Sequence, residues 1–487
     1  MTLYDDLKKQ LKKKGIDLIN TDYYELIDVW KSWYAGSVDD FHFYNVKLAD
    51  GTEAKYEKKT MSMAKKSSED MMKLNWSSKC DIKLANDEKT KQLWKILDSK
   101  QNNFTIMFPQ LLEMAFALGT TCISEYKDEL GRTRIEYIKD PSRLVPYAYD
   151  NFNITGFVLF DQWQEEEDNK PVYYTHLTYH EFKNEKDEKG EIKQVYRKYN
   201  ELYKSKDLKQ LGKEVLFGTK FPNVEELVEH DTDTPHFQII KPPIANNIDI
   251  ETPMGLSIFA NSIDKLKSID NKYDSFDMEF IDGKRRILVD KTALKSSPQV
   301  DNDGNISQQL FFDRNDRTYV AMNGMKDQPV KDISFDLRYK EHIDSINAEL
   351  SWYSSSLGFG EDYYKFDGGG VATATEILSE NDEAFRTKQV YETIIKDVII
   401  DLVKSVCYLE EIDLSEDEIQ VEFDYSRFEN QEKTQQRLER EVSKGITSKI
   451  EYRMKVYNET EEVARQKIAE IRKEEPSIND LVGGGVE

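Results

Sequence analysis

The stretch that decides the fold is LGFGEDYYKFDGGGVATATE, residues 357–376, which lies between two long helical patterns. It is rich in glycine, a residue that adopts backbone conformations other residues avoid. The glycines are Gly358, Gly360, Gly368, Gly369 and Gly370. Near its end, Thr373 and Glu376 have the spacing of a capping box, which predicts that the next helix starts near Thr373. The stretch therefore predicts a helix, a flexible loop with glycine hinges, and a second helix.

Four consecutive side chains of this loop are predicted to form a projecting tip: Tyr363, Tyr364, Lys365 and Phe366. The loop has no nucleophile beside a base, so it lacks the features of a catalytic loop. No Lys-Ser or Lys-Thr follows its glycine triplet and no strand directly precedes it, which argues against a phosphate-binding loop. Two interpretations remain, a finger that contacts a partner, which loops of this length favour, or a long helix–helix connector.

Composition indicates a soluble globular chain, since 38% of the 487 residues are hydrophobic and 33% are charged. The length allows roughly three domains of about 150 residues or one elongated subunit. The three cysteines, Cys80, Cys122 and Cys407, have no CxxC spacing, which argues against a disulfide framework or a zinc site and favours a reducing cytosol. No apolar run approaches the roughly 20 residues of a membrane span, and the N-terminus lacks a signal-peptide core. We therefore expect no membrane association.

The net charge of −24 constrains the partners. A protein that binds duplex DNA without sequence preference normally carries excess positive charge, which displaces the counterions of the phosphates. The charge therefore argues against ordinary DNA binding. It remains compatible with a passage whose wall must not stick to DNA.

The first half of the chain predicts an α+β body whose strands are joined by hairpins. Residues 1–35 show helical spacing, and FTIMFPQLLEMAFAL, residues 104–118, is an apolar helix. The predicted strands are residues 122–126, 134–138, 156–160 and 173–179. The polar run at residues 184–193 predicts a solvated hairpin tip.

Two amphipathic helices bracket a small β-containing insert. A helix of about 26 residues is predicted between Gly255 and Gly283. Its apolar face carries Phe259, Ile263, Leu266, Ile269, Tyr273, Phe276 and Phe280. Its other faces carry Asp264, Lys265, Lys267, Asp270, Lys272, Asp274 and Asp277, either a solvated surface or one that faces other subunits or a channel. The second helix, from Tyr339, has Ile343, Ile346, Leu350, Tyr353 and Leu357 on one face.

The insert between these helices is predicted to contain short strands at residues 286–290, 319–322 and 333–337 around a turn at residues 301–305. If the apolar faces of the two helices meet, the insert lies at one end of the pair. The glycine-rich loop then lies at the other end.

A helix of about 39 residues is predicted after the loop, from Thr373 to about Glu411. A returning strand at residues 421–428 and charged helices at residues 430–475 follow, with an interruption at Gly445. Ser448 and Glu451 form a second predicted capping box. The last dozen residues are expected to be disordered.

Two patterns suggest metal binding, and each has a plainer explanation. Asp301, Asp303 and Asn305 resemble the start of a calcium loop, but Ile306 stands where that loop needs glycine, so a hairpin turn is favoured. His176 and His180 lie at i and i+4 of a predicted strand. No third ligand lies nearby in the sequence, so two ordinary histidines are favoured over a metal pair. We predict no metal, no cofactor and no catalytic residue.

The layout resembles the portal proteins of tailed bacteriophages, in particular the siphophage type from phages of Gram-positive bacteria. The resemblance covers nearly the whole chain. Its most specific parts are WKSWYAG with Lys65 and Lys66 after it, FPQLLEMAFALGTT, VPYAYDNFNITGF, the helix from Gly255, and FGEDYYKFDGGGVATATEI. It implies an α+β portal fold with an α/β wing, a two-helix stem, a small β-containing clip, a very long wing helix and a C-terminal helical crown.

On this resemblance each segment takes a place in the portal fold. The implied regions are the N-terminal part of the wing (1–255), stem helix 1 (256–283), clip (284–338), stem helix 2 (339–357), tunnel loop (358–372), long helix and returning strand of the wing (373–428), crown (429–475) and a disordered tail (476–487).

The resemblance also implies a function. Portal proteins form a ring, typically of about twelve subunits, at one vertex of the capsid. Double-stranded DNA passes through the ring during packaging and ejection. The implied partners are other copies of the chain, this DNA, the terminase large subunit, the head–tail connector, and the major capsid and scaffolding proteins. The implied location is the virion, after assembly in the host cytoplasm.

The resemblance assigns candidate DNA contacts. Tyr363, Tyr364, Lys365 and Phe366 would touch the duplex from the tunnel loop. Lys284, Arg285 and Arg286 form a basic triplet near the implied channel. Two roles stay open for the triplet, facing DNA or pairing with acidic residues of a neighbouring subunit.

Two other functions remain as alternatives. A packaging nuclease or ATPase would fit the acidic composition, but the sequence lacks Walker residues and a metal-ligand cluster. Another structural capsid or tail protein would lack a central pore wide enough for duplex DNA.

Overall fold

The computed structural model describes most of the chain in two compact units, residues 1–369 with 386–423, and residues 370–385 with 424–487. The described residues are 3–18, 22–47, 51–151, 153–186, 190–283, 286–290, 296–300, 306–310, 319–322, 330–333, 336–361, 363–366, 382–415, 418–424, 438–457 and 459–474.

Helices form both the body of the first unit and the described part of the second. In chain order they are α1 (Leu3–Lys13), α2 (Tyr23–Ala35), α3 (Met63–Asn75), α4 (Asp87–Leu97), α5 (Phe104–Leu118), α6 (Ile263–Asp282), α7 (Tyr339–Ser356), α8 (Asp382–Leu409), α9 (Lys449–Tyr457) and α10 (Glu461–Glu474). Of these, α9 and α10 belong to the second unit.

The strands of the body form antiparallel sheets. They are β1 (Phe43–Lys47), β2 (Glu53–Glu57), β3 (Asp81–Leu84), β4 (Thr121–Lys127), β5 (Thr133–Ile138), β6 (Leu144–Asp150), β7 (Asn153–Glu167), β8 (Lys170–Lys186), β9 (Ile192–Ser205), β10 (Lys213–Val215), β11 (Leu227–Asp231), β12 (Phe237–Ile240) and β18 (Ile419–Glu422). The largest sheet has the order β10-β9-β8-β7-β6, with β11 also paired to β9. Smaller sheets are β12-β4-β5, β18-β3 and β1-β2.

The prediction of helices with hairpin-joined strands is confirmed at the level of a mixed helix and sheet fold. Strands β7, β8 and β9 pair antiparallel in sequence order, as do β4 and β5. The polar run at 184–193 joins two paired strands, since Lys186 lies opposite Ile192. Short connections between adjacent strands favour this antiparallel pairing.

A close contact between two glycines sets where α6 begins. Gly119 ends α5 with a φ of 83°, and a Cβ on either Gly119 or Gly255 would overlap the carbonyl oxygen of the other. Ile258 then donates its N–H to Phe116 O at 3.0 Å, so the chain runs alongside α5 before it becomes helical. The helix therefore starts at Ile263, and the prediction that it starts just after Gly255 is wrong.

Helices α6 and α7 pack antiparallel. Ser262 Oγ lies 2.8 Å from Ser356 Oγ at one end, and Arg338 donates to Glu279 at 2.7 Å at the other. The buried residues between α6 and α7 or beneath them include Leu266, Ile269, Ile346 and Leu350. Their spacing of three or four residues keeps them on one face of each helix. The two helices therefore lie side by side, with buried apolar residues on each.

The insert is a set of short strands between Asp282 and Tyr339. They are β13 (Arg286–Asp290), β14 (Ser296–Val300), β15 (Ile306–Leu310), β16 (Tyr319–Met322) and β17 (Val330–Ile333). The strands form the sheets β16-β13-β17 and β14-β15. Predicted strands 286–290 and 319–322 are confirmed. The third was placed too late, because pairing with β13 sets Val330 opposite Val289. The turn at 301–305, with Asp301, Asp303 and Asn305, lies outside the described residues, but its flanks pair, with Val300 opposite Ile306.

The long helix after the loop is described from Asp382 to Leu409. Its predicted start, with Thr373 and Glu376, lies outside the described residues. The returning strand, predicted at 421–428, is observed as Ile419–Glu422 paired with Asp81–Leu84 of β3, and residues 425–428 lie outside the described residues. The second predicted capping box is confirmed at the start of α9. Glu451 N donates to Ser448 Oγ at 3.1 Å, and Ser448 N donates to Glu451 Oε2 at 2.9 Å.

Candidate functional site

Residues 357–366, which we call the aromatic segment, leave α7 through a turn that requires glycine. Gly358 has a φ of 78°, and a Cβ there would overlap Thr387 Oγ1. That hydroxyl donates to Gly358 O at 2.9 Å. The hinge predicted at Gly358 is therefore fixed to α8 by a hydrogen bond.

The aromatic rings of this segment pack on one another. Phe359 is fully buried, and Tyr363 stacks on it with ring centroids 4.4 Å apart and an angle of 16°. Tyr364 meets Phe359 edge to face at 5.8 Å. Such aromatic pairs stabilise beyond the area they bury. The segment therefore has a small apolar core of its own.

Tyr364 is held inside the body. It is 8% exposed, and its hydroxyl donates to Asp70 Oδ2 on α3 at 3.0 Å. Lys66 contacts the other oxygen of Asp70 at 2.6 Å. Burial, followed by the charge of Asp70, raises the pKa of Tyr364 well above its ordinary value, so the phenol stays protonated. The prediction that Tyr364 projects is wrong, because the buried carboxylate of Asp70 and the edge-to-face contact with Phe359 hold it.

The other three predicted tip residues differ in exposure. Phe366 N donates to Asn347 Oδ1 at 2.7 Å, and the Phe366 ring packs against Phe276 at 5.5 Å. Phe366 and Tyr363 are half-buried, and Lys365 is exposed. Of the four, Lys365 is therefore the side chain best placed to meet a partner.

Several predicted residues cannot be placed. Gly368, Gly369 and Gly370 lie outside the described residues, as do Lys284 and Arg285. Arg286 begins β13, but its side chain is outside the description. Gly360 is described, with a φ of 92°.

Two aspartates of α6 that the sequence placed outside its apolar face are buried. Asp270 and Asp274 are 4% and 8% exposed. Asp270 Oδ2 accepts from Thr60 Oγ1 at 2.9 Å and contacts His42 Nε2 at 3.1 Å, while Asp270 Oδ1 accepts from Met61 N at 2.9 Å. A buried carboxylate is tolerated when donors surround it in this way.

Asp274 continues the same attachment one turn along α6. Its Oδ1 accepts from Lys59 N at 2.9 Å, and Tyr56 OH lies 3.2 Å from both of its oxygens. We call β1 and β2 the hairpin arm. Together the two aspartates hold the base of the hairpin arm against α6. Sequence reasoning missed this because the partners lie more than 200 positions apart. The only local signal is the pair of acids at i and i+4 beside apolar positions.

Sequence analysis also missed a row of linked hydrogen bonds between polar side chains elsewhere in the body. His230 Nδ1 lies 2.8 Å from His236 Nε2, His236 Nδ1 lies 2.8 Å from Ser405 Oγ, and Ser405 donates to Glu125 at 2.8 Å. Burial raises the pKa of Glu125 to about 8. Burial, then His230 and Lys198, lowers the pKa of His236 to about 3. Ser405 donates to the carboxyl group rather than to the histidine, unlike the serine of a hydrolase triad.

The metal-pair alternative for His176 and His180 finds no support. His176 Nε2 lies 3.0 Å from Asn200 Oδ1, and His180 Nδ1 lies 2.9 Å from Tyr196 OH. Burial lowers the pKa of both histidines. Within the described part of the chain, no group of three or more His, Cys, Asp and Glu side chains is placed to hold a metal ion.

Helices that span a membrane combine length with an apolar surface. Among the helices that the structure describes, none has both the length and the apolarity needed to cross a membrane.

Comparison with solved structures finds similar chains in phage-like particles. The neck of a native GTA particle, computed with C12 symmetry, is 10% identical with a TM-score of 0.37, covering 81% of this chain and 89% of that chain. The neck of an empty GTA particle, computed with C6 symmetry, is 11% identical with a TM-score of 0.38, over the same shares. The virion of a native gene transfer agent particle is 10% identical with a TM-score of 0.35, covering 81% and 88%.

Comparison with curated proteins finds no match. Comparison with family models finds one described as "Phage portal protein, SPP1 Gp6-like", which matches residues 14–480. This match spans nearly all of the 487 residues. The chain therefore belongs to the SPP1 Gp6-like family of phage portal proteins, which form a ring at one vertex of the capsid in the virion.

Proposed function

We propose that the ring is a non-enzymatic conduit through which double-stranded DNA enters the capsid during packaging and leaves during ejection. The family match over residues 14–480 carries this proposal. The fold supports it, because the antiparallel pair of α6 and α7 joins the strand-containing insert at one end and the aromatic segment at the other. That is the arrangement expected of a channel wall with a docking module and a loop at opposite ends.

The regions of the portal fold follow from this arrangement. In the proposal α6 and α7 form the stem and β13 to β17 form the clip. Residues 358–372 form the tunnel loop, α9 and α10 belong to the crown, and the remaining body with α8 and β18 is the wing. The ring has about twelve copies, as the resemblance to portal proteins implies, and identical neighbours close it by rotation. It assembles in the host cytoplasm before it is part of the virion.

Charge favours passage over tight binding. The net charge of −24 repels phosphates at distances within a Debye length, about 10 Å at moderate salt, so the duplex slides without sequence-specific contact. The insert at the end of the stem pair is proposed to bind the terminase large subunit and then the head–tail connector. The wing is proposed to meet the major capsid and scaffolding proteins.

Lys365 is the proposed DNA contact of the described loop residues. Its side chain is exposed, whereas Tyr364 is held by Asp70 and acts as a support for the loop. Tyr363 and Phe366 are half-buried and keep the segment packed on the stem. The glycine triplet and the basic triplet of Lys284, Arg285 and Arg286 remain proposed as loop hinges and candidate channel residues.

Electron microscopy of the purified protein tests the conduit. The expected result is a closed ring with a central channel wide enough for duplex DNA. Only monomers and dimers, under every assembly condition tried, would contradict the proposal. Magnesium-dependent hydrolysis of ATP or DNA that a point substitution abolishes would favour an enzyme instead.

A charge reversal tests the loop. Lys365→Glu is expected to leave ring assembly intact and to reduce DNA packaging, since it places negative charge beside the phosphates. The matched control is Lys209→Glu, at an exposed position between β9 and β10. Equal packaging by the two variants would remove Lys365 from the proposed contact.

A further inference from the structure

The hairpin arm has one apolar face and one charged face. Tyr44 lies opposite Tyr56 and Val46 lies opposite Ala54, so these four side chains share a face of the two-stranded sheet. The other face carries the charged residues Lys47, Glu53, Lys55 and Glu57. Alternation of this kind is typical of a sheet with one face packed on a partner.

The outer part of that apolar face is open to solvent in a single chain. Tyr44 and Val46 are each 39% exposed, and β1 and β2 form a sheet of their own in the part of the chain that the structure describes. A lone two-stranded hairpin is at best marginally stable in water. The arm therefore needs support beyond its own strands.

Its base receives that support from α6. Asp270 and Asp274 accept hydrogen bonds from Thr60, Met61 N and Lys59 N, and Tyr56 OH contacts Asp274. On a helix, positions 270 and 274 point away from positions 268 and 272, which contact Glu349 of α7. The arm thus stands on the side of α6 turned away from α7, held at its base, with Tyr44 and Val46 still partly open to solvent.

We propose that the hairpin arm docks its apolar face on a neighbouring copy of this chain and so forms part of the contact between subunits of the ring. This inference rests on the proposed ring. In a closed ring every subunit offers one surface to a neighbour and receives the complementary one, so the next copy can cover an apolar face that extends from the body.

The chemistry of the arm favours a second copy over DNA as the occupant. Lys47 and Lys55 lie on the opposite face from Tyr44 and Val46 and share it with Glu53 and Glu57, so the arm has no excess positive charge to attract phosphates. Duplex DNA would offer phosphates to the lysines but no apolar surface to Tyr44 and Val46.

Site-specific photo-crosslinking tests the docking. Val46 is replaced by p-benzoylphenylalanine in the full-length protein, and the ring fraction is irradiated and digested for mass spectrometry. The control position is Ile192, a more exposed apolar residue at the tip of another hairpin. The expected result is a crosslink between subunits from position 46, absent from the monomer fraction and weaker from position 192.

Three outcomes overturn the inference. Rings without a crosslink between subunits from position 46 would remove the arm from the interface and leave the proposed ring in place. Crosslinks to added duplex DNA instead of protein would make the arm a DNA contact. Failure of the parent protein to form rings at all would overturn the proposed function itself.

A paired substitution measures the strength of the contact. Tyr44→Glu with Val46→Glu places charge on the apolar face and is expected to raise the concentration for half-assembly at least about tenfold. Circular dichroism of the monomer checks the fold, and Ile192→Glu is the control. An unchanged assembly midpoint would contradict the docking.

Discussion

The aromatic segment and the hairpin arm are attached to the body by the same kind of contact, but one is buried beyond that contact and the other is exposed. In each, a tyrosine hydroxyl meets a buried aspartate, Tyr364 with Asp70 and Tyr56 with Asp274. Beyond that point the aromatic segment turns inward, and Phe359 is fully buried. The hairpin arm extends outward, and Tyr44 remains 39% exposed.

The difference shows that the number of aromatic residues does not decide whether a segment projects. Both segments combine tyrosine, phenylalanine and lysine near a glycine. The aromatic segment has Phe359 as an internal platform and Asn347 to accept from its backbone. The hairpin arm satisfies its backbone across its own two strands, which leaves its faces for another surface.

The largest effect is expected from Asp270→Ala. It removes the acceptor of Thr60, Met61 N and the His42 contact, and buried donors without an acceptor cost free energy. The free energy of unfolding of the monomer should fall by about 3 kcal/mol, measured in urea. Hydrogen exchange of residues 43–57 should rise at the same time.

The control for this variant is Asp264→Ala on the same helix. Its side chain is 79% exposed, so the free energy of unfolding should change by less than about 0.5 kcal/mol. Equal losses from the two substitutions would mean that burial of Asp270 does not hold the hairpin arm.

Glu125 gives the opposite case, a buried carboxyl group whose charge is not stabilised. Its pKa is raised by burial to about 8, above the unfolded value near 4.5, so the folded state holds more protons between these pH values. Stability must therefore fall as the pH rises through this window. From pH 6.5 to 8 Glu125 alone should contribute a loss on the order of 2 kcal/mol, partly offset because His236, whose pKa is lowered in the folded state, still releases protons from the unfolded state near pH 6.5.

The substitution Glu125→Gln checks this assignment. It keeps an oxygen for Ser405 but removes the titration, so in urea unfolding at several pH values the parent should lose on the order of 2 kcal/mol relative to the variant between pH 6.5 and 8. Parallel profiles would assign the pH dependence to another group.

Tyr364→Phe tests the inward-turned segment. It keeps the edge contact with Phe359 and removes the donor to Asp70, which retains Lys66. The expected loss is about 1.5 kcal/mol in the free energy of unfolding, since the lost hydrogen bond is to a charged group. Faster proteolysis in the aromatic segment with an unchanged ring would agree. No loss of stability would mean that stacking alone holds the segment.

The smallest effect is expected from Tyr56→Phe. This tyrosine is more exposed than Tyr364, and Lys59 N and two aspartates still fasten the arm. The free energy of unfolding, measured in urea, should decrease by about 0.5 kcal/mol. A loss as large as that of Tyr364→Phe would erase the distinction between the two attachments.

Sequence periodicity predicted the local elements well and the long-range contacts poorly. The helix predicted from Tyr339 to Leu357 is observed as α7, Tyr339–Ser356, because heptad-like apolar spacing is a local signal. The capping box at Ser448 and Glu451 is equally local. The burial of Asp270 was unpredictable because its partners lie in a segment about 210 residues away.

The candidate site shows the same difference between local features, which were predicted, and long-range contacts, which were not. The position of the glycine-rich loop between two helices followed from composition. The inward turn of Tyr364 did not, because Asp70 lies 294 positions earlier and nothing in the local sequence marks it as a partner. The start of α6 was misplaced for a similar reason, since the contact between Gly119 and Gly255 is also long-range.

The contact between Gly119 and Gly255 fixes the point from which the chain leads into α6, so a small change of angle there is magnified along the helix. The backbones of Gly119 and Gly255 touch with no side chain between them, so neither residue can grow without shifting the other. The helix beyond them has 20 residues, about 30 Å of rigid length, and a tilt of about 5° at this point would move its far end by about 2.6 Å. In the proposed ring every copy would repeat that tilt, so a channel bounded by α6 would widen or narrow all round at that end. The absence of a side chain at Gly119 and Gly255 would thus bear on the width of the proposed channel.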